Sequence, residues 1–209
     1  MKTTLRSLAP IVFLTLVSSL AACGGDDTNT TGTGGAGGSG GAGGSGGGTD
    51  AGADSSDMLI ASSMGEWDVY RDPYGDGGVG PISDTIKGTV EAYWSGTEMR
   101  VKLSVSGLPA NRAFGSHVHK LACADTKAGG HYQDKPFPAD SGATDPVYAN
   151  SMNEVWLDFT TDASGAATVE SKVKWRPRAG EAKAVMIHDL MTMTGGTAGA
   201  KLACIGVPF

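Results

Sequence analysis

Residues 24–56 set the outer limit on what this chain can fold into. They hold 15 of its 33 glycines, spaced by Ser, Thr, Asn, Ala and Asp, and no apolar residue larger than alanine. Such a stretch buries too little surface to offset the entropy of ordering it. The sequence therefore predicts a disordered tether, roughly 30 Å from end to end as a random coil. Any fold is confined to the segment from Met58 onward, about 150 residues, which is enough for one hydrophobic core.

Ahead of the tether, residues 1–22 read as an export signal. Lys2 and Arg6 give a positive start, and Ile11–Val17 is an apolar run, broken at Thr15, too short to span a bilayer. Leu20-Ala21-Ala22-Cys23 resembles a bacterial lipobox. That resemblance implies diacylation of the Cys23 thiol, cleavage before it, and acylation of the new amino group. Two or more acyl chains make a stable membrane anchor. Residues 23–57 are then the lipidated cysteine and its tether. Gly24 and Gly25 follow with no aspartate directly after the cysteine. By similarity to lipoprotein sorting patterns, this places the chain at the cell envelope, in the outer membrane. Losing Lys2 and Arg6 takes the formal charge from −6 to −8, a poor balance for binding nucleic acid. Of the three cysteines, Cys123 and Cys204 remain as one pair once Cys23 carries lipid. Export puts them in an oxidising compartment, so a disulfide is expected.

Residues 58–209 carry the periodicity of strands. Val90, Ala92 and Trp94 alternate with polar neighbours within Ile86–Ser95, and Met99–Val105 alternates throughout. Glu154–Phe159 and Thr168–Trp175 do the same, while Ala184–Ile187 and Leu202–Val207 are more continuously apolar. Turn residues separate them, at Ser95-Gly96, Gly107-Leu108-Pro109, Ala163-Ser164-Gly165 and Arg176–Gly180. No helical stripe is sustained, so the expectation is an all-β sandwich or barrel. Residues 58–84 suggest no role. Lys120–Asn153 is a long segment without alternation, of the kind that serves function or is held by a crosslink.

The chain has four histidines, His117, His119, His131 and His188. His117 and His119 are two apart, so in a strand both imidazoles address one side. His131 follows Gly129-Gly130 in the long loop, and His188 ends the apolar run Ala184–Ile187. An all-imidazole centre suits copper and is also accepted by zinc.

Four runs, in order, carry a resemblance. They are Val105–Pro109 with Gly115-Ser116-His117-Val118-His119, Cys123 with Ala128–Tyr132, Val185-Met186-Ile187-His188-Asp189, and Gly196–Val207 with Cys204. Together, over about Ile86 to Val207, they are similar to the copper/zinc superoxide dismutase family. The resemblance implies an eight-stranded Greek-key β-barrel or sandwich. It implies copper held by His117, His119, His131 and His188, and a Cys123–Cys204 disulfide. It also implies a cationic residue beside the metal at Lys201, where the family has arginine.

The chain also departs from that family. Ser116 replaces a bulkier apolar residue. No histidine lies between His131 and His188, so the family's zinc site cannot be assembled in the usual way; Asp134, Asp140 and Asp145 with one imidazole make a poor zinc cage. Only 15 residues separate His188 from Cys204, implying a shortened substrate funnel. The pattern resembles copper-only members, and without zinc the second nitrogen of His131 needs another partner, for which Glu154 and Asp134 are candidates. The expected function is superoxide dismutation at the envelope. The competing readings are copper scavenging or chaperoning without turnover, and a structural module that merely keeps the fold.

Overall fold

The computed structural model describes residues 57–75 and 82–209; the export signal, Cys23 and nearly all of the tether lie outside them. The described residues form nine strands and no helix. In chain order they are β1 (Met58–Glu66), β2 (Asp68–Val69), β3 (Lys87–Trp94), β4 (Met99–Ser106), β5 (Ala113–His119), β6 (Phe159–Thr160), β7 (Ala167–Val173), β8 (Ala184–His188) and β9 (Lys201–Gly206). They make two antiparallel sheets, one in the order β1-β3-β4-β7 and the other β2-β9-β8-β5-β6. The all-β expectation holds. The strands number nine rather than eight, and among the described residues no ladder closes the sheets into a barrel, so the architecture is a sandwich.

Alternation builds the core. Met99, Val101, Leu103 and Val105 of β4 point inward, and Phe114 and Val118 of β5, Val185 and Ile187 of β8 and Leu202 and Ile205 of β9 meet them from the other sheet. β8 is buried on both faces. Its alternate residues, Ala184 and Met186, join Cys204, Cys123 and Ala128 in a small second cluster. The Lys120–Asn153 loop therefore roofs the outer face of the five-stranded sheet, and the Cys123–Cys204 disulfide, across 81 positions, fastens it there.

Two elements depart from the sequence reading. β1 arises from the segment that suggested no role. Most of its residues are exposed, and a register shift between Leu59 and Ala61 breaks its alternation, so its sequence carries little strand signal. Asp57, counted with the tether, is ion-paired to Arg100 at 2.8 Å. The expected strand Glu154–Phe159 is reduced to Phe159–Thr160 plus an isolated bridge from Trp156 to His117. Val155, Leu157 and Phe159 are buried as their alternation requires. The ladder is interrupted because residues 131–132 compete for the same edge of β5: Tyr132 N donates to Val118 O at 2.8 Å, and His119 bridges to His131.

Candidate metal centre

The register of β5 and β8 sets out the site. Gly115 pairs with His188, His117 with Met186 and His119 with Ala184, all on the outer face of the sheet. Gly115 is needed there for space: a Cβ would lie 2.6 Å from Leu190 O and 2.8 Å from Ala198 Cβ. The 189–199 segment thus packs directly on the strand beside the histidines. The long loop delivers His131 from above.

The structure brings all four sequence-predicted histidines together. One ring nitrogen from each lies within 4.8 Å of the others, and among the described residues this is the group of donors placed to share one ion. His117, His119 and His188 are buried, while the His131 side chain keeps 16% of its exposure. Each ring is held through its other nitrogen. His119 Nδ1 donates to Gly129 O at 3.0 Å, His188 Nδ1 donates weakly to Gly199 O at 3.5 Å, and His131 Nδ1 donates to Glu154 Oε2 at 2.9 Å. Thr192 donates its hydroxyl to Asp158 Oδ1 at 2.6 Å, so its oxygen accepts from His117 Nε2 at 2.7 Å. Partners of this kind fix the tautomer and aim the remaining lone pair.

Those remaining lone pairs test the fit of a metal. His117 Nδ1 is buried with no hydrogen-bond partner. His119 Nε2 and His188 Nε2 face each other at 3.3 Å with their protons committed elsewhere. A buried acceptor without a donor, and two lone pairs in contact, are costly unless a cation lies among them. Burial, then the neighbouring imidazoles, holds His117 and His119 well below the usual histidine range. Burial, then His131, pushes His188 down to about 3. These three rings are thus neutral at pH 7, the form that binds metal.

Of the two candidate partners for His131, Glu154 is the one that reaches it. Its carboxylate also accepts Trp156 Nε1 at 2.8 Å and Gln133 Nε2 at 2.7 Å. Asp134 is not at the site; its backbone oxygen accepts from Arg178. Asp145 is spent on a local turn, accepting from Ser141 and Val147 N. Lys201 is half-buried and donates to Lys127 O at 2.9 Å and to Gly129 O, the carbonyl that also holds His119. Burial, then Lys127, lowers its pKa. These carbonyls converge because Thr126, Lys127 and Ala128 take positive φ of 45°, 49° and 63°, a left-handed turn disfavoured for L-residues and held here by Lys201 and the nearby disulfide. His119, His131 and Lys201 share the wall of a cavity of about 240 Å³ that opens to solvent.

Thr192, Asp158, Trp156 and Gln133 have no signature in the sequence, since each reaches the site through folding; Thr192 lies 75 positions from His117.

No family model matches the chain, and no curated protein does. Among solved structures, it is similar to the clock protein EA4, with a TM-score of 0.44 and 15% identity over 73% of this chain and 94% of that one, a likeness too low to bear on function.

Proposed function

We propose that the four histidines hold copper and that the chain is a zinc-free superoxide dismutase of the copper/zinc type, its sandwich being that family's Greek-key fold with an added edge strand. In this reading Cys23 carries the lipid that anchors it at the cell envelope, in the outer membrane. The observation that carries it is the four-imidazole cluster, with one nitrogen of each ring pinned and the other left for an ion. Imidazole donors suit copper, and His131 has its second nitrogen on Glu154 rather than free to bridge to zinc.

Copper would supply one-electron chemistry, Cu(II) oxidising one superoxide to oxygen and Cu(I) reducing a second which, with two protons, becomes hydrogen peroxide. The residues do the rest. The pinned rings keep the donor set fixed through the cycle. Lys201 uses two of its three N–H donors on carbonyls and keeps one for an anion entering the cavity. Its charge raises the local concentration of superoxide against a chain of net negative charge.

A second reading, copper binding without turnover, is favoured by the same lysine: tied to the loop carbonyls, it serves as a clamp on His119. The experiment loads the protein with copper, then measures metal content and superoxide decay on the same sample. We expect one copper per chain and decay faster than with free copper. Lys201→Ala should be slower with a flatter salt dependence, and Lys201→Arg should hold the rate. If all three forms bind copper equally and consume superoxide no faster than free copper, the protein is a copper binder and not an enzyme.

A further inference from the structure

Residues 154–159 alternate as a strand does, and the two sides serve different ends. Val155, Leu157 and Phe159 enter the core. Glu154, Trp156 and Asp158 lie on the side of the histidines: Glu154 holds His131, and the Trp156 ring stands edge-on to His117 with centroids 6.0 Å apart. Asp158 accepts three hydrogen bonds. Ser116 N at 3.0 Å and the Thr192 hydroxyl at 2.6 Å donate to Oδ1, and Thr192 N at 3.0 Å donates to Oδ2. The first of these fixes the backbone of β5 directly before His117. The other two fix Thr192, whose oxygen is 2.7 Å from His117 Nε2. Asp158 Oδ1 stays 3.9 Å from that nitrogen, so the carboxylate acts on the ring through Thr192.

His117 is unlike the other three rings in what decides its tautomer. Those of His119, His131 and His188 give the Nδ1 proton to Gly129 O, the Glu154 carboxylate and Gly199 O, groups that can only accept. His117 instead keeps Nδ1 without a partner and meets a hydroxyl at Nε2. A hydroxyl is ambivalent. Accepting from Nε2–H, it leaves a lone pair on Nδ1 for an ion. Donating to Nε2, it puts the ring proton on Nδ1, where it occupies the position of the ion. We propose that Asp158 is the positioning residue that makes this choice: by taking the Thr192 hydroxyl proton it obliges Thr192 to accept from His117, and so keeps Nδ1 open to the metal. The inference rests on the copper reading above for the identity of the ion.

The test starts with the full chain free of metal, in which the imidazole nitrogen chemical shifts report where each ring proton sits. His117 should carry its proton on Nε2 in wild type and in Thr192→Ser. In Asp158→Ala the freed hydroxyl donates to the ring, and the proton should move toward Nδ1. Cu(II) affinity, measured by competition with a chelator, should then fall about 10–100-fold. Thr192→Val, which leaves the Ser116–Asp158 bond in place, should also weaken binding, while Thr192→Ser holds the wild-type affinity. Because Asp158 acts through the hydroxyl, Asp158→Ala/Thr192→Val should bind no more weakly than Asp158→Ala. Losses that multiply in the double variant overturn the proposal, as does Asp158→Ala with the wild-type tautomer and affinity. Should Asp158→Ala fail to fold, the Thr192 pair decides, and equal affinity in the valine and serine variants refutes the role. If wild type binds no copper, the copper reading fails, and the tautomer of the metal-free variants judges Asp158 on its own.

Discussion

The two faces of the five-stranded sheet are made from the same strands and are held in opposite ways. On the inner face, Phe114, Val118, Val185, Ile187 and Leu202 meet the other sheet in one continuous apolar core. Nothing there depends on a particular partner, and stability follows from area removed from water. On the outer face, His117, His119, His188 and Met186 lie under a roof of loop rather than a second sheet. That roof contributes few apolar contacts, so it depends on point fastenings: the Cys123–Cys204 bond, Lys201 on the 127–129 carbonyls, Glu154 on His131 and Thr192 on His117. A strand that alternates between these faces can be changed on one side with little effect on the other.

The largest effect is expected where the outer face has its covalent fastening. Closing a loop of 81 positions is worth about 4–5 kcal/mol in the chain-entropy model. Cys123→Ala with Cys204→Ala should lower the unfolding free energy by about that much in denaturant titration. It should also weaken metal binding, because the left-handed turn that presents Gly129 O to His119 loses its anchor. Reduced stability with unchanged metal affinity would mean the hydrogen bonds hold the roof without the crosslink.

On the inner face the corresponding change is Ile187→Ala, between Met186 and the candidate ligand His188. Ile187 is fully buried, and removing it leaves a cavity costing about 2–5 kcal/mol. Denaturant unfolding should register that loss, while one metal still binds per folded chain. Loss of stoichiometric metal in the folded variant would show that the faces are not independent.

Acid separates the faces by a different route. His188 has a folded-state pKa of about 3 against an ordinary value of 6.5, and those of His117 and His119 are likewise depressed. Between these limits the unfolded chain binds protons that the folded one refuses, so stability rises with pH there. The metal-free protein should therefore lose melting temperature as pH falls below about 6.5 and continue losing it toward about 3, and replacing His188 with an apolar residue should flatten the slope. An unchanged melting temperature from pH 7 to pH 5 would argue against buried neutral imidazoles.

The strands that show in the sequence are those with one apolar face, β3, β4 and β7, and the continuously apolar β8 and β9. β1 does not show because only Ala61 of its nine residues is buried. The histidine cluster is legible because imidazole is rare in this chain and the i, i+2 spacing fixes direction within a strand. Glu154 could be named only as one of two candidates for His131, and nothing local distinguishes it from Asp134. What separates them is the competition of two segments for the edge of β5, a property of the folded chain. Lys201 shares a cavity wall with His119 and His131, but its engagement with Lys127 O and Gly129 O depends on a left-handed turn at Thr126–Ala128, three residues that do not announce positive φ.

The smallest expected effect isolates the inner face most cleanly. Ser116 lies between Phe114 and Val118 on β5 and is fully buried, and its hydroxyl has no hydrogen-bond partner. An unsatisfied hydroxyl in an apolar core costs about 1–3 kcal/mol, and removing it also forgoes the contacts of one atom, so the net gain from Ser116→Ala is about 1 kcal/mol. The backbone N–H of Ser116, which donates to Asp158 at 3.0 Å, and its carbonyl, which accepts from Leu157 N at 2.7 Å, are untouched by the change. So is the adjacent His117, which points the other way. Thermal and denaturant unfolding should therefore show a slightly more stable protein whose metal affinity equals that of wild type. A larger residue such as valine tests whether the space was ever apolar-sized: if it stabilises further, the core at this point is underfilled, and if it destabilises, the small side chain is required by packing. If Ser116→Ala instead lowers metal affinity, the hydroxyl communicates through the strand to His117, and the division of β5 into a structural and a metal-binding face fails at the residue where it should be sharpest.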